Sequence, residues 1–269
     1  MTTSRRLENV EDRIENLLSQ MTIEEKVRLC HASGQFCVGG IERLDIPPLT
    51  MSDGPHGVRE ELEQDSWASA GWADDTCTYL PTGTALAATW NPELARLHGS
   101  VLGAEARDRR KDVILGPGVN ILRTPICGRN FEYYSEDPVL AAALVVPEIQ
   151  GIQEQDTAAC VKHFVANNQE LNRHWVDAQP DERTLREIYL PAFRAAVQDG
   201  NVLTVMGAYN QLHGSHCCHH QRLLNTILKE EWGFPGAVVS DWGGVYGTRE
   251  AAEQGLDIEM GTSGDFEEF

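Results

Sequence analysis

An apolar run in this 269-residue sequence ends on a carboxylate. The segment "AVVSDW" leads directly into Asp241 and Trp242, and two glycines follow. An Asp at the end of a buried strand is often only a turn residue. The same arrangement also places a carboxylate at the mouth of a parallel barrel, where such proteins hold their sites. The segment by itself favours neither interpretation.

The same pattern recurs at the end of other apolar runs. The side chains found there are Asp53, Arg123, Arg129, Glu132, Lys162, His163, Met206, Tyr209, Asn210, Asp241 and Trp242. Each has a structural explanation when taken alone, since Asp53 precedes Gly-Pro and Arg129 has acidic neighbours for a surface ion pair. Because the carboxyl ends of parallel strands meet at one edge, their joint placement predicts one site.

These residue types are suited to binding a sugar. Carboxylates accept hydrogen bonds from hydroxyl groups, and Lys and Arg donate charge-assisted ones. Trp and Tyr present flat apolar faces to a pyranose ring. A carboxylate in such a pocket can attack an anomeric carbon, and neighbouring cations keep it ionised. The pattern therefore indicates sugar chemistry at these strand ends.

Seven strand-length apolar runs alternate with helical patterns. They cover residues 49–53, 85–90, 113–121, 158–164, 203–210, 237–242 and 256–260. Alternation of this kind predicts a parallel sheet covered on both faces. We predict an α/β fold, a TIM-like (β/α)8 barrel that is incomplete at its C-terminus. An open doubly wound sheet is the rival, but "SDGPHGVRE" after the first strand is no Gly-rich phosphate loop.

Two helical segments show start signals, and one contains an internal proline. Thr22 and Glu25 have the spacing of a capping box, and Asn91 stands before Pro92 at a second helix start. Pro147 predicts a boundary or kink in the apolar helix that follows residue 137. Residues 60–79 are polar and acidic and are predicted to form a long loop over one end of the barrel.

Composition excludes several classes of partner. The formal net charge is −19, which opposes binding to nucleic acid or to an anionic membrane. No run approaches the roughly 20 apolar residues of a membrane helix, and no signal peptide is apparent, so we expect a cytoplasmic protein. Seven cysteines are not a disulfide framework in a chain of this length. No cofactor is predicted.

The segment "HGSHCCHHQ", residues 213–221, contains four His and two Cys. These are zinc ligands, but the spacing between pairs of ligands that zinc sites show is missing. We therefore predict a surface loop and no metal site.

Ordered motifs along the chain resemble glycoside hydrolase family 3, above all its β-glucosidase-like members. The motifs are "MTIEEKV", "PLTMSDGPHGVR", "PTGTALAATWNPEL", "LGPGVNILRTPICGRNFEYYSEDP", "CVKHFVANNQE", "MGAYNQLHG", "LLNTILKEEWGFPGAVVSDWGG" and "GLDIEM". The resemblance implies retaining hydrolysis of β-glycosides, with Asp241 as the nucleophile. It implies sugar-binding roles for Asp53, Arg129, Lys162, His163, Met206, Tyr209 and Trp242. Glucose is the preferred sugar, with xylose as the alternative.

The sequence departs from the family at the acid/base residue. In β-glucosidase-like members this Glu lies in a C-terminal α/β domain, which we expect to be absent here. Residues 1–20 are expected to be a lead-in and residues 21–269 the family's N-terminal barrel domain. The Pro-Gly-His-Gly pattern of another branch is missing, so His174 is not assigned the acid role. A separate chain with the C-terminal domain, or a second copy of this chain, are the partners considered besides the β-glucoside.

Two other functions stay open from the residues alone. Lys162 at a strand end would suit a Schiff-base lyase or aldolase. A non-catalytic sugar-binding barrel would bind glucose without forming a covalent adduct at Asp241.

Overall fold

A computed structural model describes residues 3–59, 61, 65–67 and 77–261. Its helices are α1 (Thr3–Gln20), α2 (Ile23–Arg28), α3 (Gly83–Ala87), α4 (Pro92–Asp108), α5 (Pro138–Gln153), α6 (Glu182–Thr184), α7 (Pro191–Gln198) and α8 (Thr248–Gln254). Its strands are β1 (Cys37–Val38), β2 (Leu49–Asp53), β3 (Val113–Leu115), β4 (Ala158–Phe164), β5 (Asp177–Ala178), β6 (Thr204–Gly207), β7 (Gln211–Leu212), β8 (Ser215–His216) and β9 (Ala237–Val239). None of the helices in the described ranges is both long and apolar enough to cross a bilayer.

The main sheet has the strand order β1-β2-β3-β4-β6-β9. Within this sheet, the neighbouring strands from β2 through β3, β4 and β6 to β9 pair in parallel. Strand β1 lies antiparallel to β2 at one edge. Isolated bridges then connect Val239 to Ile258, Glu259 to His31, and Ala32 to Val38. These bridges link the last strand back to the first, so the described residues form a barrel whose seam lacks regular strands. The predicted α/β barrel class is confirmed.

Two apolar layers hold this barrel together. Met51, Leu115, Cys160, Met206 and Val239 are buried together in one cluster, as inward-facing barrel residues are. A larger cluster packs the other face of the sheet against the helices. Because strand side chains alternate between two faces, each strand contributes to both layers.

The apolar run at 85–90 is not a strand, and that prediction was wrong. Residues 83–87 form α3, with Leu86 and Ala87 buried. Short apolar runs do not distinguish a strand from a buried helix by periodicity, and the three alanines of this run favour helix. The predicted strands at 113–121 and 203–210 shrink to β3 and β6, and 256–260 contributes only bridges.

Pro147 does not end its helix. Helix α5 continues from Pro138 to Gln153 with Pro147 inside it. The lost hydrogen bond is tolerated because α5 is held by burial against its neighbours, including Leu144 and Ile149. The capping box of Thr22 and Glu25 is present as predicted.

Two helical segments have wider turns than an α-helix. Residues Leu185–Tyr189 and Arg222–Glu231 are π-helical. The amide of Trp232 donates to the carbonyl of Ile227, five residues earlier, at 3.1 Å. A small second sheet of β5, β7 and β8 follows β4 and β6. Its segments lie after two of the strand ends at which the sequence predicted a site.

Candidate active site

A cavity of about 180 Å³ opens at the carboxyl ends of the main strands. The eight residues to which the family resemblance gave site roles all line it: Asp53, Arg129, Lys162, His163, Met206, Tyr209, Asp241 and Trp242. Three further residues predicted at the same strand ends, Arg123, Glu132 and Asn210, do not line it. The structure therefore brings together side chains that lie up to 189 positions apart in the sequence.

Asp53 and Lys162 form an ion pair across the cavity. The Lys162 Nζ atom donates to the Asp53 Oδ1 atom at 2.8 Å, and Gly54 N donates to the same oxygen at 2.9 Å. Burial alone would raise the pKa of Asp53, but Lys162 holds it below its ordinary value. Burial alone would lower the pKa of Lys162, but the carboxylates of Asp53 and Glu132 raise it. Both groups are therefore charged and available to bind hydroxyl groups.

Arg129 follows β3 and is held on two sides. Its Nε atom donates to Glu132, three residues on, in a close ion pair. Its NH2 group donates to the Nε2 atom of His163 at 2.9 Å. These two contacts hold the guanidinium in place beside the cavity, which it lines.

Asp241 lies at the end of β9 and is almost completely buried, with 7% of the residue exposed. The amide of Trp242 donates to its Oδ1 atom at 2.8 Å. Its Oδ2 atom has no hydrogen-bond partner among the described residues, and the Nε2 atom of His163 lies 3.6 Å away. Burial raises the pKa of Asp241 above its ordinary value, and Arg129 and Lys162 offset only part of this effect. The side chain of Tyr209 also lies near this carboxylate and lowers its pKa. Asp241 thus lines the cavity as a buried carboxylate, one oxygen of which has no hydrogen bond of normal geometry within the described residues.

Aromatic rings form one wall of the cavity. Phe36 packs against Trp67 with 4.6 Å between ring centroids and against Trp242 with 5.3 Å. The indole nitrogen of Trp242 donates to the carbonyl of Gln35 at 2.6 Å, which fixes the plane of that ring. A flat apolar wall beside charged hydrogen-bonding groups matches the two faces of a sugar ring.

Four lining residues were not predicted: Phe36, Trp67, Leu115 and Arg173. Arg173 stands over the ring of Tyr209, with 4.3 Å from its guanidinium carbon to the ring centroid. Trp67 comes from the predicted loop at 60–79, of which only residues 61, 65–67 and 77–79 are described. The sequence signal that could have indicated Trp67 is a Trp within an otherwise polar loop. No sequence signal indicated that Phe36 or Arg173 lines the cavity.

The His- and Cys-rich segment is packed and does not converge on an ion. Cys217 and Cys218 are buried, and His216 stacks on Tyr246 with ring centroids 3.9 Å apart. Within the described ranges, no three His, Cys, Asp or Glu side chains lie close enough together to hold a metal. His174 contacts Tyr246 through its Nδ1 atom at 2.6 Å and does not line the cavity.

Carboxylates at the carboxyl ends of barrel strands, beside cations and aromatic rings, suit the chemistry of a glycoside hydrolase. Residues 43–261 match the glycosyl hydrolase family 3 N-terminal domain. The chain therefore belongs to glycoside hydrolase family 3.

Relatives of this chain include enzymes that act on different sugars. It is 56% identical over 253 residues to beta-glucosidase BoGH3A of Bacteroides ovatus, covering 94% of this chain and 34% of the relative. It is 40% identical over 247 residues to an exo-alpha-(1->6)-L-arabinopyranosidase of Bifidobacterium longum, covering 90% of this chain and 32% of the relative.

A solved structure shows the same fold. Beta-glucosidase 3B of Thermotoga neapolitana, in complex with glucose, superposes with a TM-score of 0.86 at 40% identity, covering 92% of this chain and 36% of that one. The chain thus spans about a third of the length of these relatives.

Proposed function

We propose that this chain provides the sugar site and the nucleophile of a retaining β-glucosidase. The observation that supports this most is Asp241, a buried carboxylate that lines the cavity and has one oxygen without a hydrogen-bond partner among the described residues. The names of its β-glucosidase relatives support the same reaction. The ion pair of Asp53 and Lys162 would bind the sugar hydroxyls, and Trp242 would support the ring.

The reaction has two steps, in which a bond between Asp241 and the sugar is formed and then hydrolysed. In the first, a carboxylate oxygen of Asp241 forms a bond to the anomeric carbon as the glycosidic C–O bond breaks. The departing oxygen keeps that electron pair and takes a proton from an acid. In the second, water attacks the same carbon, its proton passes to the base, and the carboxylate of Asp241 is released. Two displacements at one carbon retain its configuration.

The stereochemistry of the first product tests this proposal. Proton NMR during hydrolysis of an aryl β-glucoside is expected to show the β-anomer of glucose before mutarotation produces the α-anomer. Initial release of α-glucose would mean a single displacement by water and would contradict the nucleophilic role of Asp241.

The described residues offer no evident proton donor for the leaving group. Asp53 is paired with Lys162, Glu132 with Arg129 and Glu170 with Arg173, so these three carboxylates near the cavity are held by cations. We expect the 269-residue chain to hydrolyse aryl β-glucosides weakly and alkyl β-glucosides or cellobiose at least about 10²-fold more slowly, since general acid catalysis contributes roughly 10²–10⁴-fold.

Steady-state rates for 4-nitrophenyl β-glucoside, methyl β-glucoside and cellobiose measure this difference. The Asp241→Asn variant, purified in the same way, gives the background from contaminating enzymes. Cleavage of cellobiose at a rate similar to that of the aryl glucoside would show that an effective acid is present in the chain.

The raised pKa of Asp241 predicts where activity is lost in acid. Only the ionised carboxylate attacks, so activity is present above the pKa and falls as the pH decreases through it. Since burial raises this pKa above the ordinary 3.8, the loss begins at a higher pH than for an unperturbed Asp. The rate of inactivation by an activated 2-deoxy-2-fluoroglucoside, measured against pH, reports this midpoint. A midpoint at or below 3.8, with circular dichroism unchanged, would be the contrary result.

The Schiff-base alternative is not favoured by the contacts of Lys162. An attacking amine must be neutral, and the carboxylates of Asp53 and Glu132 raise the pKa of Lys162 above its ordinary value. A non-catalytic sugar-binding role would give binding of glucose with no turnover of any aryl glucoside.

A further inference from the structure

Both ring nitrogens of His163 have a partner. The Nε2 atom lies 2.9 Å from the NH2 group of Arg129, and the Nδ1 atom lies 3.0 Å from the hydroxyl of Tyr133. The His163 side chain is only 1% exposed, so water does not compete for either nitrogen. The protonation of this ring is therefore set by its protein neighbours.

Arg129 fixes the role of the Nε2 atom. A guanidinium has only donors, so the nitrogen that faces it must accept through a lone pair. A proton on Nε2 would point at another N–H group. This contact favours the tautomer that carries its single proton on Nδ1.

Asn120 gives the same answer independently. Its amide nitrogen donates to the carbonyl of His163 at 2.8 Å, and the amide of His163 donates to the Asn120 Oδ1 atom at 2.7 Å. These two backbone contacts fix which side of the Asn120 amide is oxygen. That oxygen, which can only accept, lies 3.4 Å from the Nδ1 atom of His163, a longer contact than the 3.0 Å between Nδ1 and the Tyr133 hydroxyl.

We propose that Tyr133 is a positioning residue. Its hydroxyl oxygen accepts a hydrogen bond from the Nδ1–H group of His163, which keeps the proton on Nδ1 and so prevents the Nε2 atom from donating to Asp241. The Nε2 atom lies 3.6 Å from the Asp241 Oδ2 atom. In the other tautomer it would compete for that oxygen with a hydrogen bond, which would stabilise the carboxylate and make it a weaker nucleophile. This consequence rests on the proposed function, but the tautomer itself does not.

Charge around the ring supports a neutral His163. Burial and the cations Arg129 and Lys162 lower its pKa well below the ordinary value. Burial raises the pKa of Tyr133 well above the ordinary value, so its hydroxyl stays protonated. The choice left to His163 is which nitrogen carries its one proton.

Nitrogen NMR of the full chain tests the tautomer directly. In a ¹⁵N-histidine sample, with His163 assigned by its loss in a His163→Gln variant, we expect a protonated Nδ1 and an unprotonated Nε2 from about pH 5 to about pH 8. A protonated Nε2, or an imidazolium that titrates in this range, would overturn the inference.

The Tyr133→Phe variant tests the positioning role, with Tyr134→Phe as its matched control. Tyr134 is also buried, but its hydroxyl donates to Glu148 of helix α5 and not to His163. We expect Tyr133→Phe to show a detectable Nε2–H form of His163, and Tyr134→Phe to show none.

The kinetic consequence is confined to the attack step. In Tyr133→Phe, inactivation by the 2-deoxy-2-fluoroglucoside is expected to be about tenfold slower at saturation, with its apparent binding constant nearly unchanged. Asp241 is faced by Arg129, Lys162, His163 and Tyr209. A hydrogen bond from His163 to the charged carboxylate would lower the pKa of Asp241, so the pH midpoint of inactivation is expected to move to lower pH. An unchanged tautomer, rate and midpoint in Tyr133→Phe would remove Tyr133 from this role.

Failure of the two proposals can be told apart. The NMR measurement uses the free protein and requires no turnover. The predicted tautomer in a chain that never reacts with the fluoroglucoside would leave the inference about His163 in place and reject the nucleophilic role of Asp241.

Discussion

The Asp241→Asn variant is expected to hydrolyse aryl β-glucosides at least about 10³-fold more slowly than the parent chain, with its fold unchanged. The amide has nearly the same shape, and its oxygen can still accept from the amide of Trp242, as the Oδ1 atom does at 2.8 Å. What it lacks is a charged oxygen to bond to the anomeric carbon. The loss should therefore appear in the rate of attack and not in the binding of glucose.

Asp181→Asn is the matched control for this substitution. Asp181 caps helix α6 from the protein surface, where its side chain accepts from the amide of Thr184, and Asn is an equally good cap. We expect its kcat/KM to equal that of the parent within a factor of about two. Equal activity of Asp241→Asn and Asp181→Asn would show that hydrolysis does not depend on Asp241.

The Gly151→Ala variant is expected to lose about 3 kcal/mol of unfolding free energy. Helices α4 and α5 cross in close contact, and a Cβ atom at Gly151 would lie 2.2 Å from the carbonyl oxygen of Arg96 and 2.8 Å from the amide of Ser100. Both neighbours belong to the backbone of α4, so the helices must separate. Gly99 and Gly103 face α5 from the other side in the same way.

Gly39→Ala is the control for adding one methyl group. A Cβ atom there would meet the Cβ atom of Ser33 at 3.4 Å, which is ordinary van der Waals contact. Thermal unfolding followed by circular dichroism should show a Tm about 6–12 °C lower for Gly151→Ala and little change for Gly39→Ala. Equal Tm values for the two variants would mean that the helix crossing is looser than the structure indicates.

The strand-end residues could be predicted from the sequence because the fold makes them converge. Once the chain is a parallel barrel, Asp53, Lys162 and Asp241 must meet at one edge, whatever their separation in sequence. The positions are thus a consequence of topology. Their chemical roles are not, and these stay proposals.

Phe36 and Arg173 could not be predicted in the same way. Phe36 precedes the short antiparallel strand β1, which has no periodic pattern, and Arg173 lies in the loop between β4 and β5. Loop conformations depend on contacts distant in sequence, so local spacing does not indicate which loop side chains reach the cavity. The tautomer of His163 was equally out of reach, since it depends on atomic contacts with Arg129, Asn120 and Tyr133.

The seam of the barrel also lay beyond sequence patterns. Residues 256–260 look like a strand, yet only Ile258 and Glu259 form bridges, to Val239 and His31. Closing a barrel requires tilt and stagger that alternation alone does not encode. The helix at 83–87 was misjudged for a related reason, because short apolar runs fit either structure.

Mass spectrometry of a trapped intermediate tests the nucleophilic role of Asp241 directly. The full chain is incubated with an activated 2-deoxy-2-fluoro-β-glucoside, which slows release of the sugar, and is then digested and sequenced as peptides. We expect one added fluoroglucosyl group per chain, bonded to Asp241, and none in Asp241→Asn. An unmodified chain, or a label on Asp53, Lys162 or any other residue, would contradict it.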